Sequence, residues 1–458
     1  MADPVEQEPA SPGDSASLDC ADWWAFGVTS ALTLLGYLLT LTPEVGLDWS
    51  GVLTTGAMYG GVGPPAGYPA WTLYSWLFIK LIPGSNPAWR VAVASAFAAA
   101  VSCGLIALMV SRSNKFLFNE KSSFHRLTSR DQIWIRVMSG YVAGMALGFS
   151  DDFWFEAVVA DFVTFTVLLF TIVLFLLMRW METGHVKSCR WAFFVFGLLL
   201  TNAQEMLTAL PGIVCAVMLI DRKLGRDLAF LLLPVAAFVT SITQYGIWKS
   251  GFIDWPLLVA FAVPIPIAII LIIATRRLGS NWKPALACTS FFLLGFAVYL
   301  YLPIASATNP PVNWSYSRTL EGFVHLIGRG QFEHVNPANS WAEFGAELWR
   351  MTAQTGREFG WLYIIFTALP FLSLLCASCT ARKWMGVLFL ISICIGPLLV
   401  ALLNMPDGRQ AQELAETYFL PLRVPLALCT GMGLIYFATT MARLSVTSTN
   451  CETVSHFT

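Results

Sequence analysis

Apolar runs long enough to cross a bilayer recur along almost the whole 458-residue chain, and this limits its fold more than any other feature. Inside lipid, backbone N–H and C=O groups must bond within their own segment, so such runs become helices and the expected fold class is all-α. Such runs fall at about 23–43, 90–111, 132–150, 157–179, 191–203, 205–220, 227–248, 255–275, 285–304, 360–380, 384–403 and 418–440, the fifth and sixth of them short for a span. They predict a polytopic bundle of about twelve transmembrane helices. Composition agrees, because 56% of the residues are hydrophobic and only 12% are charged, more apolar surface than a water-soluble core needs.

A net charge of −1 gives no reason to expect a nucleic-acid partner. The placement of charge says more. With the N-terminus set in the cytoplasm, the inner connections hold Arg112, Lys115, Lys121, Arg126, Arg130, Arg179, Lys187, Arg190, Arg222, Lys223, Arg226, Arg276, Arg277, Lys283, Arg382, Lys383 and Arg443. These are most of the 27 Lys and Arg residues. Basic inner loops support the span count and place both termini in the cytoplasm of a multi-pass integral membrane protein, as in a bacterial inner membrane. Residues 1–21 are acidic and rich in Pro, Ser and Gly, without a basic n-region, and read as a disordered cytoplasmic tail. Residues 22–440 form the transmembrane domain, and 441–458 a second cytoplasmic tail. The ten cysteines are scattered, mostly within apolar runs, where Cys acts as a small hydrophobe. Cys376 and Cys379 make one Cys-x-x-Cys with no second pair, a weak metal or redox signal.

Two outer loops are long, 44–90 and 305–359, and both contain helical patterns too polar or too short to span. Residues 49–59 and 68–82 read as amphipathic helices along the surface, with Trp71, Trp76 and Phe78 toward lipid or core. Trp341–Phe359 carries Glu343, Glu347, Arg350, Arg357 and Glu358 at helical spacing and suits the interface.

The candidate chemistry therefore lies on the outer side. Asp48 follows the first apolar run and precedes a turn stiffened by Gly61, Gly63, Gly67 and three prolines; it is either a helix-capping acid or a base held at membrane depth. Asp151 and Asp152 open a helix beyond the 132–150 run, and capping accounts for either of them. Asp161 falls a turn or more inside the 157–179 run, where an ionised group is costly and by default functional. Asn309 and Asn313 flank a Pro-Pro turn and offer fixed amides. Arg318 and Arg329, the latter followed by Gln331, are the outer cations best placed for a phosphate, or else structural partners of Glu321 and Glu333. Asp407 and Arg409 could complete an outer cavity or mark a plain turn. His325 and His334 stand without ligand spacing. There is no glycine-rich phosphate loop, zinc motif, nucleophile elbow or Asp-x-Asp nucleotide-sugar motif, so a soluble nucleotide donor is not expected.

Together these segments resemble the transmembrane protein 260-like family, long catalogued as a domain of unknown function and placed among membrane glycosyltransferases of the GT-C type. Asp48-Trp49-Ser50-Gly51 and Gly61-Val62-Gly63-Pro64-Pro65-Ala66-Gly67-Tyr68-Pro69 are similar to its first motif, an acid with Ser-Gly followed by a Gly-Val-Pro-His-Pro-Pro-Gly-Tyr-Pro turn. Trp154 to Asp161 resembles its second, a Trp-x-x-Ala-Val-x-Ala-acid segment. Tyr301-Leu302-Pro303 through Asn313-Trp314, then Arg318, Gly322-Phe323 and Arg329-Gly330-Gln331, resemble its third. The likeness runs over roughly 23–440. Pro64 stands where the family's turn has His, Trp49 where it has the acid before Ser-Gly, and Asn202-Ala203 where an Asn-His pair is frequent.

The resemblance implies a GT-C-like fold and a glycosyltransferase, the family's eukaryotic member being a protein O-mannosyltransferase. The donor would be a polyprenyl-phosphate sugar, mannose among the options, and the acceptor a protein or glycan on the outer face. Asp48 would be catalytic; Asp151, Asp152, Asp161, Asn309, Asn313, Arg318, Arg329 and Gln331 would bind substrate. The resemblance makes no cofactor certain and leaves a divalent cation open. The alternatives are a lipid-carrier flippase or transporter, which predicts inverted repeats and broken helices, and a divergent inactive scaffold.

Overall fold

A computed structural model describes residues 17–46, 49–84, 86–118, 124, 127–243, 264–275, 279–328, 340–374, 377–403 and 416–455. Among them the regular structure is helical, with two isolated β-bridges, Val62 to Asn313 and Phe118 to Ala377. In chain order the first helices are α1 (Cys20–Thr40), α2 (Ser50–Tyr59), α3 (Pro69–Leu81), α4 (Pro87–Leu117), α5 (Ser129–Gly148), α6 (Asp151–Val158), α7 (Val163–Thr183) and α8 (Val186–Leu200). There follow α9 (Ala209–Ile220), α10 (Arg222–Thr243), α11 (Pro264–Thr275), α12 (Trp282–Phe296), α13 (Tyr301–Ala307) and α14 (Leu320–Ile327). The chain then forms α15 (Trp341–Phe359), α16 (Trp361–Leu372), α17 (Cys379–Ile395), α18 (Pro397–Leu403) and α19 (Arg423–Ser455).

Helix α4 is the axis of the N-terminal half. Its Ala, Ser and Gly positions leave no bulk to hold neighbours away, and it is buried over most of its length against α1, α5 and α7. Helix α5 meets it through a stripe of glycines. A Cβ on Gly144 would lie 2.6 Å from the Cys103 carbonyl oxygen, and one on Gly140 would collide with the Ala107 carbonyl. In lipid, where water drives no helix together, such backbone approach supplies the packing.

The Asp19 end of this bundle is locked by charge. Asp22 is fully buried in the first turn of α1; it accepts from Ser111 Oγ at 2.7 Å and pairs with Arg136 Nη1 at 3.4 Å. Arg112 Nε reaches Glu182 Oε1 at 2.9 Å, and Lys115 Nζ reaches Asp19 Oδ1 at 2.8 Å. Four helices (α1, α4, α5 and α7) thus share one ionic network whose members satisfy one another, the condition under which buried charge persists. At the opposite end, Tyr37 donates to the Gly148 carbonyl at 2.7 Å and Trp154 Nε1 donates to Thr40 Oγ1 at 2.9 Å.

The expectation of about twelve spans does not survive. Among the described residues, six helical segments are long and apolar enough to cross a membrane: Cys20–Thr40, Pro87–Leu117, Val163–Thr183, Trp282–Ala307, Cys379–Leu403 and Glu416–Arg443. A seventh results if α5 and α6, bent by 70° at Gly148–Asp151, count as one. The runs at 191–203, 205–220 and 360–380 are apolar enough but too short, falling in α8 (15 residues), in the Gln204–Ile220 segment that contains α9, and in α16 (12 residues). At a rise of 1.5 Å per residue, twelve residues make about 18 Å, well short of a hydrocarbon core of about 30 Å. The runs 227–248 and 255–275 extend into residues outside those described. Hydropathy registers burial in protein and burial in lipid alike, and this inflated the count.

Helices α2 and α3 are the expected short pair and pack over α4. Trp71 is buried, whereas Trp76 is exposed. Helix α15 leaves Trp341 and Trp349 largely uncovered.

Candidate functional site

The glycine-proline turn and the third motif meet at the Asp152 end. Gly60 ends α2 with a left-handed backbone (φ 63°), and Gly67 also takes positive φ (88°), closing a turn that an L side chain would strain. Val62 lies between them. Its N–H donates to the Val312 carbonyl at 2.9 Å, and its carbonyl accepts from Trp314 N at 3.2 Å. A Cβ on Gly61 would lie 2.5 Å from the Val312 oxygen, so glycine is needed for this approach. Tyr68 stacks on Phe162 with ring centroids 4.1 Å apart, and Trp49 meets Trp314 edge-on at 6.2 Å. Segments some 250 residues apart thus share one short backbone ladder.

Beside this ladder is an open concavity of about 380 Å³ lined by Val52, Pro311, Val312, Asn313, Trp314 and Ser315. Asn313 donates its amide to the Ser306 carbonyl at 3.2 Å, while its buried Oδ1 accepts no hydrogen bond among the described residues. Asn309 and Arg318 are brought together, with Arg318 Nη1 donating to Asn309 Oδ1 at 2.8 Å. The Arg318 guanidinium also lies 5.7 Å from the centroid of the exposed Tyr316 ring. Asp48, Arg329, Gln331, His334, Asp407 and Arg409 lie outside the described residues.

Asp161 is not a turn inside a span. It lies in the break between α6 and α7, where its Oδ1 accepts from Val163 N at 2.9 Å. Its carbonyl takes hydrogen bonds from Trp71 Nε1 at 2.9 Å and Ser95 Oγ at 3.0 Å. The apolar run that began at 157 hid this break, and the carboxylate sits where a helix N-terminus favours negative charge.

Asp151 is exposed in the first turn of α6, but Asp152 turns inward. Its carboxylate is ion-paired with Arg423 at the start of α19 and accepts from Gln354 Nε2 at 3.2 Å. Arg423 Nη1 also pairs with Glu358 Oε1 at 2.5 Å, and the guanidinium lies 5.6 Å from the Phe359 ring centroid. Two carboxylates therefore share one buried guanidinium. Burial pushes the Glu358 carboxyl up; Arg423 pulls it down, the Asp152 charge adds to the rise and Ser150 opposes it, and the net result is upward. Arg423 stands outside the expected site, although a lone arginine opening an apolar run at the end away from the basic loops is a signal in the sequence. Glu358 was visible only as part of an amphipathic stripe. Among the described residues no group of three or more His, Cys, Asp or Glu side chains could hold a metal ion.

A chain whose described residues are helical, with several helices able to cross a membrane and charged clusters at both ends of its bundle, is a multi-pass membrane protein. Residues 50–225 match the family model described as the protein O-mannosyl-transferase TMEM260 N-terminal domain. The match takes in the glycine-proline turn, α6 and Asp161, and ends before the third motif. No curated protein matches the chain.

Proposed function

We propose that this protein is a membrane glycosyltransferase that moves a sugar, mannose by the name of its matched domain, from a polyprenyl-phosphate carrier to an acceptor hydroxyl on the outer face. The observation that carries the reading is the Val62–Asn313 ladder. It joins the turn inside the matched domain to the Asn- and Arg-bearing segment after α13, at the end of the bundle where Asp151, Asp152 and Asp161 also lie.

In this reading the acceptor oxygen attacks the anomeric carbon, its proton passes to the Asp48 carboxylate, and the bond to the carrier phosphate breaks. Arg318 and Arg329 stabilise the charge that grows on the leaving phosphate, and fixed guanidinium groups suit that task. Asn309, Asn313 and Gln331 offer amides to sugar hydroxyls. Asp151 is exposed for the same purpose, while Asp152 and Asp161 act from positions already held by Arg423 and by the α7 N-terminus.

The test is transfer of labelled sugar from a polyprenyl-phosphate hexose in membranes containing the full chain. Asp48→Asn should abolish product while leaving protein level and protease-accessible topology unchanged. Undiminished transfer removes Asp48 from the mechanism. Carrier movement across the bilayer without glycosylated product makes the protein a flippase instead.

A further inference from the structure

Helices α8 and α12 are the most closely packed neighbours outside the N-terminal bundle, and they run parallel. Gly197 of α8 faces the Phe292 carbonyl, and Gly295 of α12 faces the Phe194 carbonyl; neither position leaves room for a Cβ. Two turns earlier on each helix a cysteine takes the facing position. Cys189 and Cys288 are both fully buried free thiols, with their sulfurs 3.9 Å apart across the interface. Nothing in the proposed transfer uses them.

From this geometry we infer that Cys189 and Cys288 are a redox-convertible dithiol, a modification site at which oxidation staples α8 to α12. A disulfide needs sulfurs about 2.05 Å apart and Cα atoms about 4.4–6.8 Å apart. Glycine-mediated contact brings the two backbones close, and rotation about each Cα–Cβ bond moves the sulfurs. Both cysteines belong to the buried hydrophobic cluster that also holds Ala192, Phe193 and Phe292, with Asp221 and Arg190 close enough to act on Cys189 electrostatically, so the fitting oxidant is an uncharged, lipid-soluble one of the quinone class. The step balances: two S–H bonds break and one S–S bond forms. The two electrons and two protons released convert the quinone to its quinol. The bond would close a loop between positions 99 apart, restricting the unfolded chain far more than the folded one. Both helices lead to the Asp152 end, where Gln204 donates to Tyr299 Oη at 3.0 Å, so the staple would rigidify the approach to the third motif.

The experiment uses the full chain in native membranes, treated with a fully ring-substituted benzoquinone that takes electrons without adding to thiols, then unfolded in detergent with maleimide and mapped by mass spectrometry under non-reducing conditions. The expected result is loss of two of the ten alkylatable thiols, a linked peptide pair containing Cys189 and Cys288, and a raised melting temperature reversed by dithiothreitol. Cys189→Ser should leave Cys288 fully alkylatable after the same treatment, and Cys288→Ala gives the reciprocal control if the first variant folds poorly. The inference is overturned if both cysteines remain fully alkylated at a quinone dose that converts an added small-molecule dithiol to its disulfide, or if they link to other cysteines. Linkage that forms equally fast in detergent-unfolded chain also overturns it. None of these readouts depends on glycosyl transfer.

Discussion

Arg423 and Glu358 lie 2.5 Å apart at the point where the last long helix begins and helix α15 ends. Asp152 shares the same guanidinium, so three elements distant in the chain are held by one cation. Arg423→Met should therefore leave two carboxylates facing each other in a poorly hydrated place. Breaking a buried pair from one side costs about 3–5 kcal/mol, and thermal unfolding in detergent should show a loss of that order. Arg423→Met combined with Glu358→Met should recover part of it. No recovery would mean that the arginine acts through packing alone.

The same cluster sets a pH dependence. Glu358 is raised above its ordinary value of 4.5, chiefly by burial. A carboxyl that holds its proton more tightly when folded stabilises the fold fully below its ordinary value, and that stability is lost as pH rises through the elevated one. The melting temperature of the wild-type protein should thus fall relative to Glu358→Gln as pH is raised from 4.5 toward neutrality. Parallel melting curves for the two proteins would refute the assignment.

Helix α5 approaches α4 only because Gly140 and Gly144 lack side chains. Gly140→Ala and Gly144→Ala should each destabilise by about 1–3 kcal/mol through overpacking, measured by detergent thermal shift. Gly27 of α1 has open space around it, so Gly27→Ala should be neutral or slightly stabilising through helix propensity.

Val62→Pro removes the N–H that donates to Val312 and so cuts one of the two rungs joining the turn to the third motif. Because displacement of a site by about 1 Å can lower rates about a hundredfold, transfer should fall by at least about tenfold with the fold retained. Circular dichroism and transfer assays on the same preparation would separate the two. Full activity in Val62→Pro would detach the ladder from function.

The long spans were legible because an unbroken apolar run around α4 or α7 can mean little else. The α6–α7 break was not, since Val158, Val159 and Ala160 are as apolar as a helix interior and only Asp161 marks the interruption. The turn at Gly61–Pro69 announced itself through residue types needed for positive φ, yet its partner at Val312 could not be read from chain order. Backbone ladders between remote segments leave almost no trace in side-chain pattern. Arg423 was hidden for a different reason. Its role is fixed by two acids on other helices, and a single charge beside an apolar run is ordinarily a flanking anchor.

The knot of charge around Asp22 bears on how the protein is made. Asp22 enters the bilayer region with the first helix, but Arg136, its partner, is 114 residues away along the chain and is synthesised later. Until α4 and α5 arrive, that carboxylate lacks its basic partners and is held at the water boundary. The first helix therefore reaches its final depth only after its neighbours have been delivered, which makes insertion of the N-terminal half a concerted event. Loss of Arg136 should then show first as a failure of biogenesis.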